Sequence, residues 1–69
     1  MYKLVITSGS WPNRKVESKS YWMTQVGLHE AEEKFELYKT CHDVVELRLW
    51  RQDIHGTFEL KRWKRHGQD

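Results

Sequence analysis

Cysteine and long hydrophobic runs are scarce in this chain, and each scarcity excludes a class of protein. Cys41 is the only cysteine among the 69 residues, so no disulfide can form within the chain and a reducing cytoplasm is the expected compartment. The apolar runs are only a few residues long, and none of them follows a charged N-terminal segment of the kind that begins a signal peptide. This pattern predicts neither a membrane span nor a signal peptide. We therefore expect a soluble, cytoplasmic protein.

Motifs that carry chemistry are equally scarce. The four glycines are isolated from one another, which excludes a glycine-rich phosphate loop. Cys41 and His42 are the only adjacent soft metal ligands, and the other histidines do not supply the second pair that a structural zinc site needs. A chain this short also seldom encloses a pocket that shifts the pKa of a catalytic carboxylate. We expect no metal, no cofactor and no enzymatic activity, and interpret the chain as a binding module.

The short length also limits the hydrophobic core. At this length roughly 60% of the unfolded surface can be buried, and such a core rarely provides more than about 3–5 kcal/mol of stability. A disulfide within the chain cannot supply the additional stability that so small a core needs, so self-association is expected to supply it. A homodimer is therefore expected.

Residues 44–63 carry the clearest structural pattern, VVELRLWRQDIHGTFELKRW. Two runs of alternating apolar and polar residues flank a short segment that ends in Gly56, which is typical of a β-hairpin. Successive side chains of a strand point to opposite faces, although a slip of one residue would exchange those faces. The predicted inner face is Val45, Leu47, Leu49, Phe58 and Leu60, and the predicted outer face is Glu46, Arg48, Trp50, Glu59, Lys61 and Trp63.

Three elements are predicted before this hairpin. Residues 2–7 alternate as a first strand, and the turn-forming residues at 8–13, with Trp11 among them, predict a loop. Residues 14–23 form a second, largely exposed strand. After Gly27, apolar residues spaced by three and four predict a helix that ends between Thr40 and Asp43.

The predicted order is therefore ββαββ, which indicates an α+β fold. Residues 1–65 are expected to form a single small domain, in which a four-stranded, mainly antiparallel sheet carries one helix on one face. Residues 66–69 contain no apolar side chain and are predicted to form a frayed C-terminal tail.

Basic and aromatic residues near the C-terminus indicate one candidate partner, a single-stranded nucleic acid. Basic groups contact phosphates and aromatic rings stack on bases. A net charge of +2 is too small to establish such binding by itself, and Glu46 and Glu59 on the same predicted face would repel a phosphate backbone. The candidate nucleic-acid-binding residues are Trp50, Lys61, Arg62, Trp63, Lys64 and Arg65.

A protein partner is the alternative that explains more of the composition. Tryptophan and tyrosine are enriched at interface hot spots, and the chain has four and three of them. The helix is the predicted contact, because its apolar residues are too widely spread for one small sheet to cover. Leu37 is expected to remain outside the core.

The helix and the strand after it resemble a known family, the short phage-encoded inhibitors of uracil-DNA glycosylase found in Bacillus podoviruses. The resemblance covers roughly half of the chain. It lies in a Phe-Glu pair followed closely by Leu-Tyr, and then in a strand with a Leu-Arg-Leu core. The residues that carry it are Phe35, Glu36, Leu37 and Tyr38, and then Leu47, Arg48 and Leu49 after Val44 and Val45.

That resemblance implies a homodimeric inhibitor of a host DNA-repair glycosylase, acting in the host cytoplasm. In the family, the helices of the dimer shape an apolar groove, which captures the leucine that the glycosylase inserts into DNA. The resemblance implies that Phe35, Glu36 and Tyr38 line this groove, and Leu37 beside them completes the candidate partner-binding set. The family members are acidic mimics of DNA, whereas this chain is basic and ends in the segment KRWKR at residues 61–65.

Overall fold

The computed structural model describes residues 1–10 and 12–65, which form one helix and four strands. All strand pairs are antiparallel and the sheet order is β2-β1-β3-β4. The predicted ββαββ order and α+β class are confirmed, whereas the predicted tail at residues 66–69 and the loop residue Trp11 lie outside the described residues. The elements are β1 (Tyr2–Ser8), β2 (Lys15–Tyr21), α1 (Gln25–Tyr38), β3 (Val44–Asp53) and β4 (Gly56–Lys64).

The start of α1 differs from the prediction, because Gly27 lies inside the first helical turn and not before it. Thr24 is the N-cap, and its Oγ1 accepts a hydrogen bond of 2.9 Å from the Gly27 N–H. This bond satisfies one of the donors that the first turn leaves without a helical partner. Gly27 is needed for space, since a Cβ at this position would lie 2.0 Å from the carbonyl oxygen of Trp22.

The core lies between α1 and one face of the sheet. Phe35 from the helix and Leu4, Leu47 and Leu49 from the two central strands are at most 2% exposed. No helix or strand of the described residues covers the opposite side of the sheet, which we call the open face. The core cluster is Leu4, Ile6, Ala31, Phe35, Val44, Leu47 and Leu49.

A β-bulge in β4 corrects the predicted faces of the C-terminal hairpin. Leu49 pairs with Lys61 and Trp50 with Glu59, so Leu60 is an extra residue that has no partner in β3. Such an insertion shifts the alternation of the strand that carries it. Trp63 therefore lies opposite Leu47 on the helix side, where it contacts the core.

Because of this bulge, the predicted faces are wrong for the residues of β4 from Leu60 onward. The prediction that Trp50 and Trp63 share an outer face is wrong, and Lys61 also lies on the helix side, opposite Leu49. Leu60, predicted to face inward, is the bulge residue and is 44% exposed, whereas Phe58 lies on its predicted inner side, opposite Arg51, but is 50% exposed.

Arg65 joins the end of β4 to the C-terminal end of α1. Its Nε donates to the Val44 carbonyl at 2.9 Å, and its Nη2 donates to the carbonyls of Cys41 at 2.7 Å and Lys39 at 3.1 Å. The last carbonyls of a helix lack helical donors, and a cation near them is also favoured by the helix dipole. The guanidinium lies 5.0 Å from the Trp63 ring. Arg65 therefore has a structural role in this fold.

We expect Arg65→Lys to lower the free energy of unfolding by about 1.5–3 kcal/mol, the range for hydrogen bonds to charged groups. The lysine ammonium lacks the planar fork that reaches several carbonyls at once. Urea unfolding followed by circular dichroism measures the difference. Lys64→Ala, at the exposed neighbouring position, is the control and should change stability by no more than about 0.5 kcal/mol. Wild-type stability of Arg65→Lys would contradict this role.

Candidate functional site

One end of the sheet collects exposed apolar side chains. At this end β2 finishes, β1 begins and β3 turns into β4, because Tyr2 pairs with both Tyr21 and Arg51. The N-terminal ammonium group donates to the Gln52 carbonyl at 2.7 Å. Four strands at a spacing of about 4.8 Å make this end roughly 14 Å wide. We call its exposed apolar residues the apolar rim: Met1 (50% exposed), Trp22 (81%), Ile54 (95%), Phe58 (50%) and Leu60 (44%).

Trp22 occupies the β2 corner of the apolar rim on a fixed backbone. The Thr24 N–H donates to the Trp22 carbonyl at 2.8 Å, and the same carbonyl occupies the space that a Cβ would need at Gly27. A shallow hollow beside the indole is lined by Met1, Ser20, Tyr21 and Trp22. Burial raises the pKa of Tyr21 above its ordinary value, so this phenol is neutral at pH 7. A fixed backbone with a free indole is the arrangement that an interface anchor needs.

Ile54 occupies the opposite corner, at the tip of the hairpin between β3 and β4. Asp53 holds the turn, since its Oδ1 accepts from the His55 N–H at 2.8 Å and its Oδ2 lies 3.0 Å from Nη2 of Arg51. Gly56 completes the turn with a φ of 132°, which residues with a side chain rarely adopt. Turn positions usually carry glycine, proline, asparagine, aspartate or serine. The local geometry therefore does not explain an isoleucine that is 95% exposed.

The helix residues predicted to bind a partner are separated by burial. Phe35 does not line a groove, because it is 2% exposed within the core, and Tyr38 is partly buried against the same cluster. Glu36 is exposed, and a hydrogen bond from Lys39, with its ammonium 2.7 Å away, lowers the pKa of the glutamate. Leu37 is 55% exposed, as predicted. Only Glu36 and Leu37 of the four are fully available to a partner.

A stripe of exposed residues runs along the outer side of α1. Val26 and Leu37 are 67% and 55% exposed, and Glu30 and Glu33 are exposed between them. Residues three and four apart lie on the same side of a helix. A two-fold contact along this stripe would bring the glutamates of two copies together, and like charges repel. The charge of the stripe therefore gives no support to a homodimer formed through α1.

The residues predicted to bind nucleic acid do not form one surface. Lys61 faces α1, where its ammonium lies 3.5 Å from the Glu32 carboxylate and 5.7 Å from the centre of the Phe35 ring. Trp63 contacts the core, and Arg65 is occupied by backbone carbonyls. The remaining three, Trp50, Arg62 and Lys64, lie together on the open face.

The open face has more basic than acidic side chains around Trp50. The strand register brings four basic residues to this side of the sheet, against the two carboxylates of Glu46 and Glu59. The guanidinium of Arg48 lies 5.8 Å from the centre of the Trp50 ring. The basic residues of the open face are Lys3, Arg48, Arg62 and Lys64.

Sequence reasoning missed Trp22 and Ile54 as candidate binding residues. Both carried a usable signal. Trp22 lies two residues before the threonine that caps α1, in the connection between β2 and α1. Its side chain therefore belongs to neither a strand face nor a helix face. Ile54 lies in a two-residue turn, a position in which an apolar β-branched residue is unexpected.

No protein-family model matches the chain, and neither a curated protein nor a solved structure matches it. Residues 1–10 and 12–65 contain no group of three or more histidine, cysteine, aspartate or glutamate side chains placed to hold a metal ion. Within the same residues, no helix has the length and apolar character needed to cross a membrane.

Proposed function

We propose that this protein is a non-enzymatic binding protein, that its partner is another protein, and that the apolar rim is the contact surface. The observation that carries this proposal is the 81% exposure of Trp22 on a connection whose backbone is fixed. Large apolar side chains that are exposed at one end of a small domain indicate an interaction site, and tryptophan is among the residues most enriched at hot spots. A fixed anchor also reduces the entropy lost on binding.

The apolar rim defines the chemistry of the partner surface. Its two projecting side chains, Trp22 and Ile54, occupy opposite corners, and the ion pair between Arg51 and Asp53 lies on the strand between them. A complementary surface has two apolar depressions on either side of a polar centre. Anchors that fill pockets carry most of the free energy of such interfaces.

Inhibition of a uracil-DNA glycosylase is the specific partner hypothesis that the family resemblance provides. This hypothesis places the contact on α1, where Glu36 and Leu37 are exposed, and is therefore the alternative to contact through the apolar rim. The burial of Phe35 removes one of the three groove residues that the resemblance implies. Residual activity of a purified glycosylase, measured against increasing amounts of this protein, tests the hypothesis. Sedimentation at micromolar concentration tests the homodimer that the same resemblance implies.

We expect Trp22→Ala to weaken partner binding by about 2 kcal/mol or more, the usual effect of removing a hot-spot side chain, which is roughly thirtyfold in Kd. Stability should change by no more than about 0.5 kcal/mol, because the indole is mostly in solvent. The wild-type chain, immobilised as bait, would first recover the partner from a host lysate. The Kd of each variant is then measured with the purified partner.

Leu37→Ala is the matched control, since it also removes an exposed apolar side chain but from α1 and not from the apolar rim. The control should bind like the wild type, and Ile54→Ser should lose affinity as Trp22→Ala does. Loss of binding in Leu37→Ala together with wild-type binding in Trp22→Ala would move the contact surface to α1 and overturn the proposal.

A further inference from the structure

We propose that the open face binds single-stranded nucleic acid, as a second surface that is independent of the apolar rim. In this proposal, Trp50 stacks on a base and the basic residues around it contact the flanking phosphates. The surface combines three residues that the sequence predicted to bind nucleic acid, Trp50, Arg62 and Lys64, with two that it did not. Arg48 was predicted on the same face as Trp50 but not as a binding residue, and Lys3 is identified only by the strand register.

The arrangement of charges on the open face favours an added anion. Arg48 and Arg62 lie directly opposite each other on β3 and β4, and like charges in opposed positions are destabilising. Both guanidinium groups approach the carboxylate of Glu46 only to 3.7 Å, which is longer than a hydrogen bond. One carboxylate is thus shared between two arginines and makes a hydrogen bond to neither. The Nε of Arg48 is buried and has no hydrogen-bond partner among the described residues, whereas the Arg62 side chain is 55% exposed. A phosphate beside them would reduce the repulsion and could accept hydrogen bonds from the Arg62 guanidinium.

Trp50 provides the aromatic surface next to these charges. It lies two residues from Arg48 on the same strand and side, a separation of about 7 Å along the chain, and it is partly exposed. Its cross-strand neighbours are Lys3 on β1 and Glu59 on β4. A base stacked on the indole would therefore place its phosphate towards Lys3 and away from Glu59.

The helix on the other side of the sheet carries mostly acidic side chains. α1 has four glutamates against Lys34 as its only lysine or arginine, and two of the glutamates are paired, Glu32 with Lys61 and Glu36 with Lys39, so the helix itself offers little to attract a phosphate. The open face has an excess of basic side chains. Clustered charges of one sign raise the local concentration of oppositely charged ligands. The glutamates are Glu30, Glu32, Glu33 and Glu36.

The exposed aromatic side chain on the open face favours a single strand over a duplex. Stacking on a protein side chain requires a base whose flat side is free, and the bases of a duplex are stacked on each other. Single-strand binders of this type combine a basic surface with aromatic side chains and show little sequence preference. The proposed ligand is therefore a single-stranded nucleic acid with no required base sequence.

Fluorescence anisotropy of a labelled oligo-dT tests the proposal on the full chain. An oligonucleotide of about 20 nucleotides is longer than the roughly 4–16 nucleotides that one OB-fold domain, another small single-strand binder, covers. Wild-type binding should weaken with added salt. Trp50→Ala should raise the Kd about fivefold or more, and Trp50→Phe should restore part of the affinity. Arg62→Ala should weaken binding and lower the slope of log K against log salt by about 0.7.

Lys34→Ala and Trp22→Ala are the controls, because they remove the same kinds of side chain from α1 and from the apolar rim. Both should bind oligo-dT like the wild type, and urea unfolding confirms that each variant is folded. Absence of wild-type binding at low salt would overturn the proposal, as would unchanged affinity in folded Trp50→Ala. Equal competition by duplex DNA or by inorganic polyphosphate would also overturn it, since neither offers an unstacked base. None of these outcomes bears on the apolar rim, which Trp22→Ala tests separately.

Discussion

Replacing Phe35 with alanine is expected to lower the free energy of unfolding by about 3–5 kcal/mol. Phe35 is 2% exposed, and among residues 1–10 and 12–65 it is the only aromatic side chain in the buried cluster between α1 and the sheet. A single core in a domain of this size provides only about 3–5 kcal/mol in total. We therefore expect Phe35→Ala to be largely unfolded, with the near-ultraviolet circular dichroism and the cooperative urea transition both lost.

Leu37→Ala is the control for this prediction, two positions along the same helix. Leu37 is 55% exposed, so its truncation should change stability by no more than about 0.5 kcal/mol. A cooperative transition of Phe35→Ala at the wild-type urea midpoint would show that Phe35 is outside the core. The prediction also affects any binding assay: loss of inhibition or partner binding in Phe35→Ala would report unfolding and not a lost contact.

Gly27→Ala is expected to destabilise the protein by about 2–3 kcal/mol, the upper part of the range for overpacking. The same change at an ordinary helix position stabilises by about 0.5–1 kcal/mol, so the expected sign is reversed. The sign is reversed because Gly27 lies against the connection that precedes α1. An added Cβ would lie 2.0 Å from the carbonyl oxygen and 2.9 Å from the carbonyl carbon of Trp22. Both contacts are with backbone, and the connection must move to accommodate the methyl group.

The movement caused by Gly27→Ala should also reach the apolar rim. Under conditions in which the variant is still folded, partner binding should fall because Trp22 is displaced, whereas oligo-dT binding at the open face should be retained. Gln25→Ala, in the same helical turn and exposed, is the control for stability. A gain in stability for Gly27→Ala would contradict the close contact between Gly27 and Trp22.

The alternation of apolar residues predicted most of the fold. Leu47 and Leu49 were placed correctly because β3 is a central strand with a regular inner face. The faces of β4 from Leu60 onward could not be predicted, since the bulge inserts one extra residue and leucine is an ordinary strand residue that does not signal it. The start of α1 was predicted too late, after Gly27, because glycine usually interrupts helices. Thr24 is a good N-cap residue and marks the observed start.

The candidate site was less predictable than the fold because it depends on contacts between distant parts of the chain. Arg65 belongs to a basic segment, and only the folded structure brings its guanidinium to the carbonyls of Lys39 and Cys41. Trp22 and Ile54 are 32 positions apart in the sequence and lie at the same end of the sheet only because β1 pairs with both β2 and β3.

Photocrosslinking from position 22 shows whether a partner contacts the apolar rim. A benzophenone-bearing phenylalanine analogue would replace Trp22 in one version of the chain and Leu37 in another, and both would be irradiated in the lysate from which the partner is recovered. We expect position 22 to form a covalent adduct with one partner protein, the Ile54→Ser change to reduce this adduct, and position 37 to give none. An adduct from position 37 without one from position 22 would contradict the assignment of the apolar rim as the contact surface.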